Sequence, residues 1–518
     1  MSRPAHSIVL RELSFTWPDG SPALDRVSGA FGRGRSGLIG ANGAGKSTLL
    51  RLIVGELAPT SGSITRPSLV AYLPQRITTL PGASVADLLG VSGIRSAIRA
   101  IEQGSVSSSH FDTIGDDWDV ETRAIADLSS LGLPHDLDRS VSTLSGGEVM
   151  LTAITGVRLR NADAVLLDEP TNNLDGKARR QLYELIEQWR GPLIVASHDL
   201  ALLERMDETV ELRSAAMRSF SGPYSAFRAH VDAEQEAARQ ALAAVEQRLK
   251  QERRERIKAE ERIAHSERQS RKDRANRKYV PAAINDRRNS AEKSQGAKRQ
   301  SAGAREEAAR AAVDLAQRSL RDDDSVRVDL PDPMVPRSRR LAELPSADGR
   351  SVIIQGPERI ALTGANGSGK TTLLHLVMPT LSVSFGYLPQ RLALDDDATV
   401  LELVRSRAPG LSTGEVRNRL ARLMIRGAMV DRTVGSLSGG ERLRVALAQL
   451  VLADPPPDLL ILDEPTNDLD IATVDQFVEA LAAFRGGLLV VSHDGAFLDR
   501  LNLDATLHLD AGGRLSPC

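Results

Sequence analysis

The chain is poor in cysteine. Its one thiol is Cys518, the last residue, so no internal disulfide can form and a reducing compartment fits. A prenylation box is not expected either, because it needs residues after the cysteine. Aromatic residues make up 3% of 518, which leaves few platforms on which bases could stack. An excess of one charge is also missing. The 66 Lys and Arg against 68 Asp and Glu give a net −2, so attraction to a polyanion must come from local clustering. Long hydrophobic runs are absent too. LLIL before Asp463 and GGLLVV before Ser492 are strand-sized, whereas a membrane span takes roughly 20 apolar residues. The start, MSRPAHSIVLRELSF, lacks the apolar centre of a signal peptide. These absences predict a soluble, cytoplasmic protein. The length suits two or three domains, and 41% hydrophobic with 26% charged residues is ordinary globular composition.

What is present is a repeat. Copy one holds GANGAGKS (Gly40–Ser47), YLPQ (Tyr72–Gln75), LSGGE (Leu144–Glu148), AVLLDEPTNNLD (Ala164–Asp175) and IVASHD (Ile194–Asp199). Copy two holds GANGSGKT (Gly364–Thr371), YLPQ (Tyr387–Gln390), LSGGE (Leu437–Glu441), LLILDEPTNDLD (Leu459–Asp470) and LVVSHD (Leu489–Asp494). Five landmarks in one order, twice, define two homologous domains. Apolar runs that end in motif loops and alternate with helical patterns predict an α/β fold on largely parallel sheets. The expected division is 1–223 for the first P-loop domain, 224–324 for a linker and 325–518 for the second.

The linker has its own composition. It is rich in Ala, Glu, Gln and Arg and nearly free of Gly and Pro until Pro281. This predicts a long helix, a break near Pro281–Asp286 and a returning helix, an antiparallel hairpin. Its distal part is basic, with Arg274, Arg277, Lys278, Arg287, Arg288, Lys293, Lys298 and Arg299 among its cations. A solvated spacer has no need of positive charge concentrated at the turn. A cationic tip suits RNA.

The pattern Gly, four residues, Gly-Lys-Ser/Thr is a phosphate-binding loop. Its glycines (Gly40, Gly43, Gly45; Gly364, Gly367, Gly369) let backbone N–H groups point at phosphate oxygens, with Asn42 and Asn366 inside the loop. Thr48 or Thr372 comes next after the hydroxyl residue, and the following helix adds its positive end. Lys46 and Lys370 are placed to reach the β- and γ-phosphates of ATP, and Ser47 and Thr371 to hold Mg²⁺. Asp168 and Asp463 each close an apolar strand, where a carboxylate can orient the metal. Glu169 and Glu464 come next, placed to polarise an attacking water. His198 and His493 end further apolar strands in both copies, which favours a γ-phosphate contact over a structural histidine.

LSGGE followed by a strand ending in DEP resembles the ATP-binding cassette proteins. That resemblance implies that Ser145, Gly146 and Gly147, and Ser438, Gly439 and Gly440, contact the γ-phosphate bound by the opposite cassette. Lys46 would then face Ser438 and Gly440, and Lys370 would face Ser145 and Gly147, within one monomer. It further implies that Gln75 and Gln390 lie near Mg²⁺ and the water, and that Asp175 and Asp470 belong to the D-loops. Two cassettes on one chain with a charged helical linker are similar to the ABC-F family. Membership implies binding to the ribosome, with the linker reaching the P-site tRNA and the peptidyl-transferase region. A DNA-repair or chromosome-maintenance ATPase, whose coils sit inside one cassette, is disfavoured because the helices here lie between two complete cassettes, so no DNA partner is expected. Antibiotic resistance by ribosome protection (macrolide, lincosamide or streptogramin) and a housekeeping role on stalled ribosomes are both compatible. A transporter motor docking on a separate membrane protein is the competing class.

The copies differ. ERLRVALAQL follows the second LSGG, but EVMLTAITGV follows the first and lacks those arginines. Phe15 and Trp17 precede the first loop as candidates for stacking on adenine, whereas Val326–Ile360 contains no aromatic residue. Copy one also carries an extra Ser- and Gly-rich segment near Val91–Trp118, read as a small arm or a variable surface loop.

Overall fold

The computed structural model describes residues 8–77, 82–172, 174–213, 216–275, 297, 300, 301, 303–317, 330–423, 425–467 and 469–517. Two six-stranded sheets dominate. The first runs, in spatial order, Val70–Leu73, Ala164–Asp168, Leu193–Ala196, Arg35–Ile39, Glu208–Arg213 and Ala216–Ser221. The second repeats that order with Phe385–Leu388, Leu459–Asp463, Gly487–Val491, Arg359–Thr363, Ala505–Leu509 and Leu515–Pro517. In each, the first five strands pair in parallel and the sixth antiparallel. The apolar runs explain this. Ala164–Asp168, Leu459–Asp463 and Gly487–Val491 are buried at every position, as central parallel strands covered on both faces must be.

Register then carries the chemistry. Asp168 lies opposite Ala196 and Asp463 opposite Val491, so each Asp-Glu pair emerges beside the Ser-His-Asp turn of the next strand. All these turns sit at carboxyl ends of strands, where α/β sheets place ligands.

A smaller antiparallel sheet accompanies each six-stranded sheet, and the two differ. In the first cassette Ile8–Thr16 pairs with Pro22–Phe31 and with Ser61–Thr65, and Ile8, Leu10, Phe31, Leu49, Leu50 and Leu166 meet in one core. In the second, Arg340–Pro345 pairs with Ser351–Gln355 alone among the described residues.

The Ser- and Gly-rich segment of copy one is helical rather than a surface loop. Helices cover Ser92–Glu102, Ser108–Ile114 and Val120–Ser130. Val91, Ala97 and Ile114 are buried there. Arg95, 9% exposed, is forked on Asp138 at 2.6 and 2.8 Å and also donates to Glu121.

Ser225–Asp324 forms a separate compact unit. The helix Tyr224–Ala275 enters it over 52 residues, and residues 303–317 are helical. Glu306 accepts from Arg253 at 3.1 Å and from Arg256 at 2.6 Å, which sets the two helices side by side. Arg274 falls in the last turn of the first helix. The expected break at Pro281–Asp286 and the cations Arg277, Lys278, Arg287, Arg288, Lys293, Lys298 and Arg299 lie outside the described residues. Among those described, no helix is long and apolar enough to cross a membrane.

Candidate functional site

Each phosphate loop is shaped by backbone space. Gly40 and Gly364 turn out of their strands with φ of 156° and 151°. A Cβ there would stand 2.4 Å from the carbonyl oxygen of Leu212 or Leu509, so no side chain fits. Gly45 and Gly369, left-handed at φ 94° and 92°, cap the helices Lys46–Val54 and Lys370–Val377 without a side-chain cap. The first-turn N–H groups of both helices are thereby left to a ligand, at the positive end of the helix dipole.

The lysines fold back over their loops. Lys46 Nζ donates to the carbonyls of Gly40 (2.7 Å) and Ala41 (3.3 Å) and lies 2.9 Å from His198 Nε2. Lys370 Nζ donates to Gly364 (2.9 Å) and Ala365 (3.0 Å). Burial lowers the pKa of both ammonium groups, against the neighbouring carboxylates. Burial, with the Lys46 charge, pushes His198 down to about 3; burial, with Lys370 and Arg179, pushes His493 down to about 4. Both imidazoles are therefore neutral near pH 7.

Asp168 and Asp463 are 2% and 1% exposed. Thr371 Oγ1 donates to Asp463 Oδ2 at 2.8 Å; Ser47 and the Tyr72 hydroxyl (3.2 Å) do the same for Asp168. The other oxygen of each aspartate, Oδ1, is buried without a hydrogen-bond partner among the described residues. A hydroxyl, a half-satisfied carboxylate and, in each cavity, Gln75 or Gln390 fit Mg²⁺, which takes few protein oxygens and completes its shell with phosphates and water.

Glu169 and Glu464 adopt φ of 47°, a left-handed conformation that costs a non-glycine residue about 1–3 kcal/mol and clusters at functional sites. Each is held there by its amide, which donates to Ala196 or Val491 of the adjacent strand. Glu169 Oε1 lies 3.3 Å from His198 Nε2, and Glu464 Oε1 lies 3.2 Å from His493 Nε2. The second contact lacks hydrogen-bond geometry, so Glu464 Oε1 and His493 Nε2 have no such partner among the described residues. Burial pushes Glu464 up to about 7, against the charges of Lys370 and Arg179.

Two cavities contain these groups. One, of about 550 Å³, is lined by Asn42, Gly43, Gly45, Lys46, Ser47, Thr48, Gln75, Glu169, Arg179 and His198, with Trp17 at the base end. The second cassette closes it with Thr466, Asn467, Leu469, Val474 and Asp494. The other, of about 340 Å³, is lined by Asn366, Gly367, Gly369, Lys370, Thr371, Thr372, Gln390, Asp463, Glu464 and His493, with Leu174 and Arg179 from the first cassette. Ser145, Gly146, Gly147, Ser438, Gly439 and Gly440 line neither. Ser145 and Ser438 cap the helices Gly146–Leu159 and Gly439–Val451, in capping boxes with Glu148 and Glu441. Gly439 lines a third cavity, of about 310 Å³, with Gln390 and Glu464 of its own cassette.

Sequence reasoning missed Tyr72 and Tyr387, whose hydroxyls bond Asp168 and Asp463, although the shared YLPQ was there to flag them. It also missed Arg179, which lines both lysine cavities. The signal was an asymmetry: Arg179 follows Asp175 by four residues, where copy two has Val474 after Asp470.

Comparison with known proteins places this geometry. The family model "ABC transporter" matches residues 24–172 and 378–467. The tylosin resistance ATP-binding protein TlrC of Streptomyces fradiae is 31% identical over 92% of either chain. The probable ATP-binding protein YheS of Escherichia coli K12 is 30% identical over 91% of this chain and 74% of its own. ABC transporter F family member 2 of Arabidopsis thaliana is 29% identical over 90% and 71%. Among solved structures, an archaeal ribosome recycling factor, aABCE1, in complex with the ribosomal stalk protein aP1 shares the fold, with a TM-score of 0.55 at 19% identity, over 98% of this chain and 89% of that one. With two cassettes in tandem and relatives matched along nearly the whole length, this chain belongs to the ABC-F family of ATP-binding cassette proteins.

Proposed function

We propose that the chain is a Mg²⁺-dependent ATP hydrolase that grips the ribosome when its cassettes are closed on ATP, and that it confers resistance to a macrolide, lincosamide or streptogramin. The observation that carries the reading is the make-up of the two lysine cavities. Each draws residues from both cassettes, so occupancy by ATP bears directly on how the cassettes meet. The division is the one expected from the repeat: cassettes at 1–223 and 325–518, linker at 224–324.

Lys46 and Lys370 take the β- and γ-phosphates, over the loop amides and helix ends. Ser47, Asp168 and Gln75, and Thr371, Asp463 and Gln390, hold Mg²⁺, which supplies charge neutralisation at the phosphates. Glu169 and Glu464 orient and deprotonate water. His198 and His493, neutral through burial, meet the γ-phosphate. Ser145, Gly146, Gly147, Ser438, Gly439 and Gly440 join the opposite nucleotide on closure. Loss of the γ-phosphate reopens the cassettes and releases the ribosome. The linker's basic residues, Arg274, Arg277, Lys278, Arg287, Arg288, Lys293, Lys298 and Arg299, approach ribosomal RNA and the P-site tRNA near the peptidyl-transferase centre. The protein acts as a cytoplasmic monomer. Resistance is favoured over a housekeeping role by the likeness to the tylosin resistance protein along 92% of both chains.

The experiment is co-sedimentation of the Glu169→Gln/Glu464→Gln variant with 70S ribosomes, with and without ATP, followed by drug challenge of a host expressing the unsubstituted chain. Pelleting that requires ATP, with raised tolerance to one of the three drug classes, is expected. Absence of pelleting at low salt removes the ribosome as partner, and unchanged susceptibility to all three classes removes the resistance role.

A further inference from the structure

Arg179 breaks the symmetry of the repeat at the place where the two sites meet. It stands in the first turn of the helix Gly176–Glu187, whose N-cap is Asp175. Its side chain is 15% exposed, and its nearest carboxylate, Asp199, is a loose partner at 3.7 Å. That carboxylate is already engaged, since Asp199 Oδ2 accepts from the Tyr183 hydroxyl at 2.6 Å and Oδ1 from the Leu202 amide at 3.0 Å. Arg179 Nε is buried with no hydrogen-bond partner among the described residues. A largely covered arginine with a loose ion pair and a buried, unmet Nε donor is poorly satisfied. It is built to be completed by an anion.

The anion's location follows from the walls. Arg179 lines the Lys370 cavity together with Glu464 and His493, although Lys370, Glu464 and His493 all belong to the other cassette. Its counterpart Val474 lines the Lys46 cavity and brings no charge. Tyr183 has a valine counterpart as well, Val478, so the polar support of Arg179 is also confined to one copy. Across the interface the Lys370 site thus receives the Arg179 cation and the Lys46 site, at the matching position, the Val474 isopropyl group, while Arg179 borders the Lys46 cavity from that cavity's own cassette.

We propose that Arg179 is a side-chain contact from the first cassette to the terminal phosphate of the nucleotide held at Lys370, and that it speeds turnover at the Lys370 site more than at the Lys46 site. The inference rests on the reading of the chain as an ATP hydrolase. In that reaction a water oxygen bonds to the γ-phosphorus while the bond to the β–γ bridging oxygen breaks. The water's proton passes to Glu464, and the bond's electron pair leaves on ADP. Charge spread over the γ-phosphoryl oxygens is what a planar, five-donor guanidinium recognises. Because the contact tightens as that charge redistributes, it acts on kcat more than on KM.

The test isolates each site. Glu169→Gln leaves the Lys370 site to turn over, and Glu464→Gln leaves the Lys46 site. Arg179→Ala is placed in both backgrounds, and kcat and KM for ATP are measured. We expect Arg179→Ala to lower kcat in the Glu169→Gln background at least about tenfold more than in the Glu464→Gln background, in line with the loss of one preorganised charge donor, with KM changing less than kcat. Arg179→Lys, which keeps the charge without the fork, should recover part of the loss, and it stands in for Arg179→Ala should that variant fold poorly. Equal losses in the two backgrounds, or a loss confined to KM, overturn the proposal. If the chain with both glutamates intact hydrolyses no ATP, the hydrolase reading falls and this inference with it; hydrolysis with equal dependence on Arg179 at both sites overturns this inference alone.

Discussion

The amide of Asn42, in the first phosphate loop, donates to Asp470 Oδ2 of the second cassette at 2.7 Å. Asp470 is also the N-cap of the helix Ile471–Ala483, accepting from the Thr473 amide at 2.8 Å on its other oxygen. Burial alone would raise its pKa, but the bonds from Thr473 and Asn42 prevail and hold it below the ordinary aspartate range. One carboxylate therefore starts a helix in one cassette and fixes a phosphate loop in the other. Asp470→Asn keeps the size and loses the charge-assisted bond, worth about 1.5–3 kcal/mol. We expect it to weaken ATP binding at the Lys46 site about tenfold, read by titration of a fluorescent ATP analogue in the Glu464→Gln background. An unchanged affinity would mean that this bond does not position the loop.

The paired glutamates give a second expectation. Each sits in a left-handed conformation one residue after a buried aspartate, a backbone that points its side chain at the histidine of the next strand. Glu169→Gln/Glu464→Gln keeps volume and removes the base. Hydrolysis should fall by at least about a hundredfold, with nucleotide still bound, and bound ATP should persist through gel filtration. Release of ATP as fast as from the unsubstituted chain would show that another group activates water.

Some of this was readable in the sequence and some was not. Phosphate loops, buried aspartates and central strands were legible because each imposes a residue type at a fixed place. Gly40 must lack a Cβ beside Leu212, and a strand covered on both faces must be apolar to its last residue. Contacts between cassettes were not legible, since the 428 residues separating Asn42 from Asp470 carry no local trace of their approach. The helices around Ser92–Ile114 were hidden for a different reason. Their buried face includes Arg95, a polar residue that a hydrophobic pattern reads as surface and that is accommodated only because Asp138 and Glu121 meet it.

The base end of the Lys46 cavity yields a third prediction. Trp17 lines it and is braced edge-on by Phe15, with ring centroids 5.0 Å apart at 86°. Among the described residues, no Phe, Tyr or Trp lines the Lys370 cavity. Stacking of one base on an aromatic ring is worth about 1–3 kcal/mol. Trp17→Ala should therefore weaken nucleotide binding at the Lys46 site by about tenfold, while Trp17→Phe should retain most of it. Equal affinities for Trp17→Ala and Trp17→Phe would remove the stacking role.

The fourth prediction concerns the helical segment that, among the described residues, only the first cassette carries. Arg95 holds Asp138 well below the usual aspartate range, at about 2, chiefly through its hydrogen bonds. A carboxylate whose folded pKa is depressed contributes stability that is present above its unfolded value, near 3.9, and is lost as pH falls through the folded value. The window is therefore about pH 4 to 2. Trp118 lies in the same segment, packed on Phe111 with centroids 6.0 Å apart, and reports on it locally. In a variant keeping Trp118 but with Trp17 and Trp189 changed to Phe, its emission should shift within that window. Asp138→Asn should shift emission toward the solvent-exposed form already at neutral pH, and it should flatten the response between pH 4 and 2, because the group that titrates there is gone. Persistence of the full response in Asp138→Asn would assign it to other carboxylates and leave the Arg95 fork without a measurable part in holding these helices.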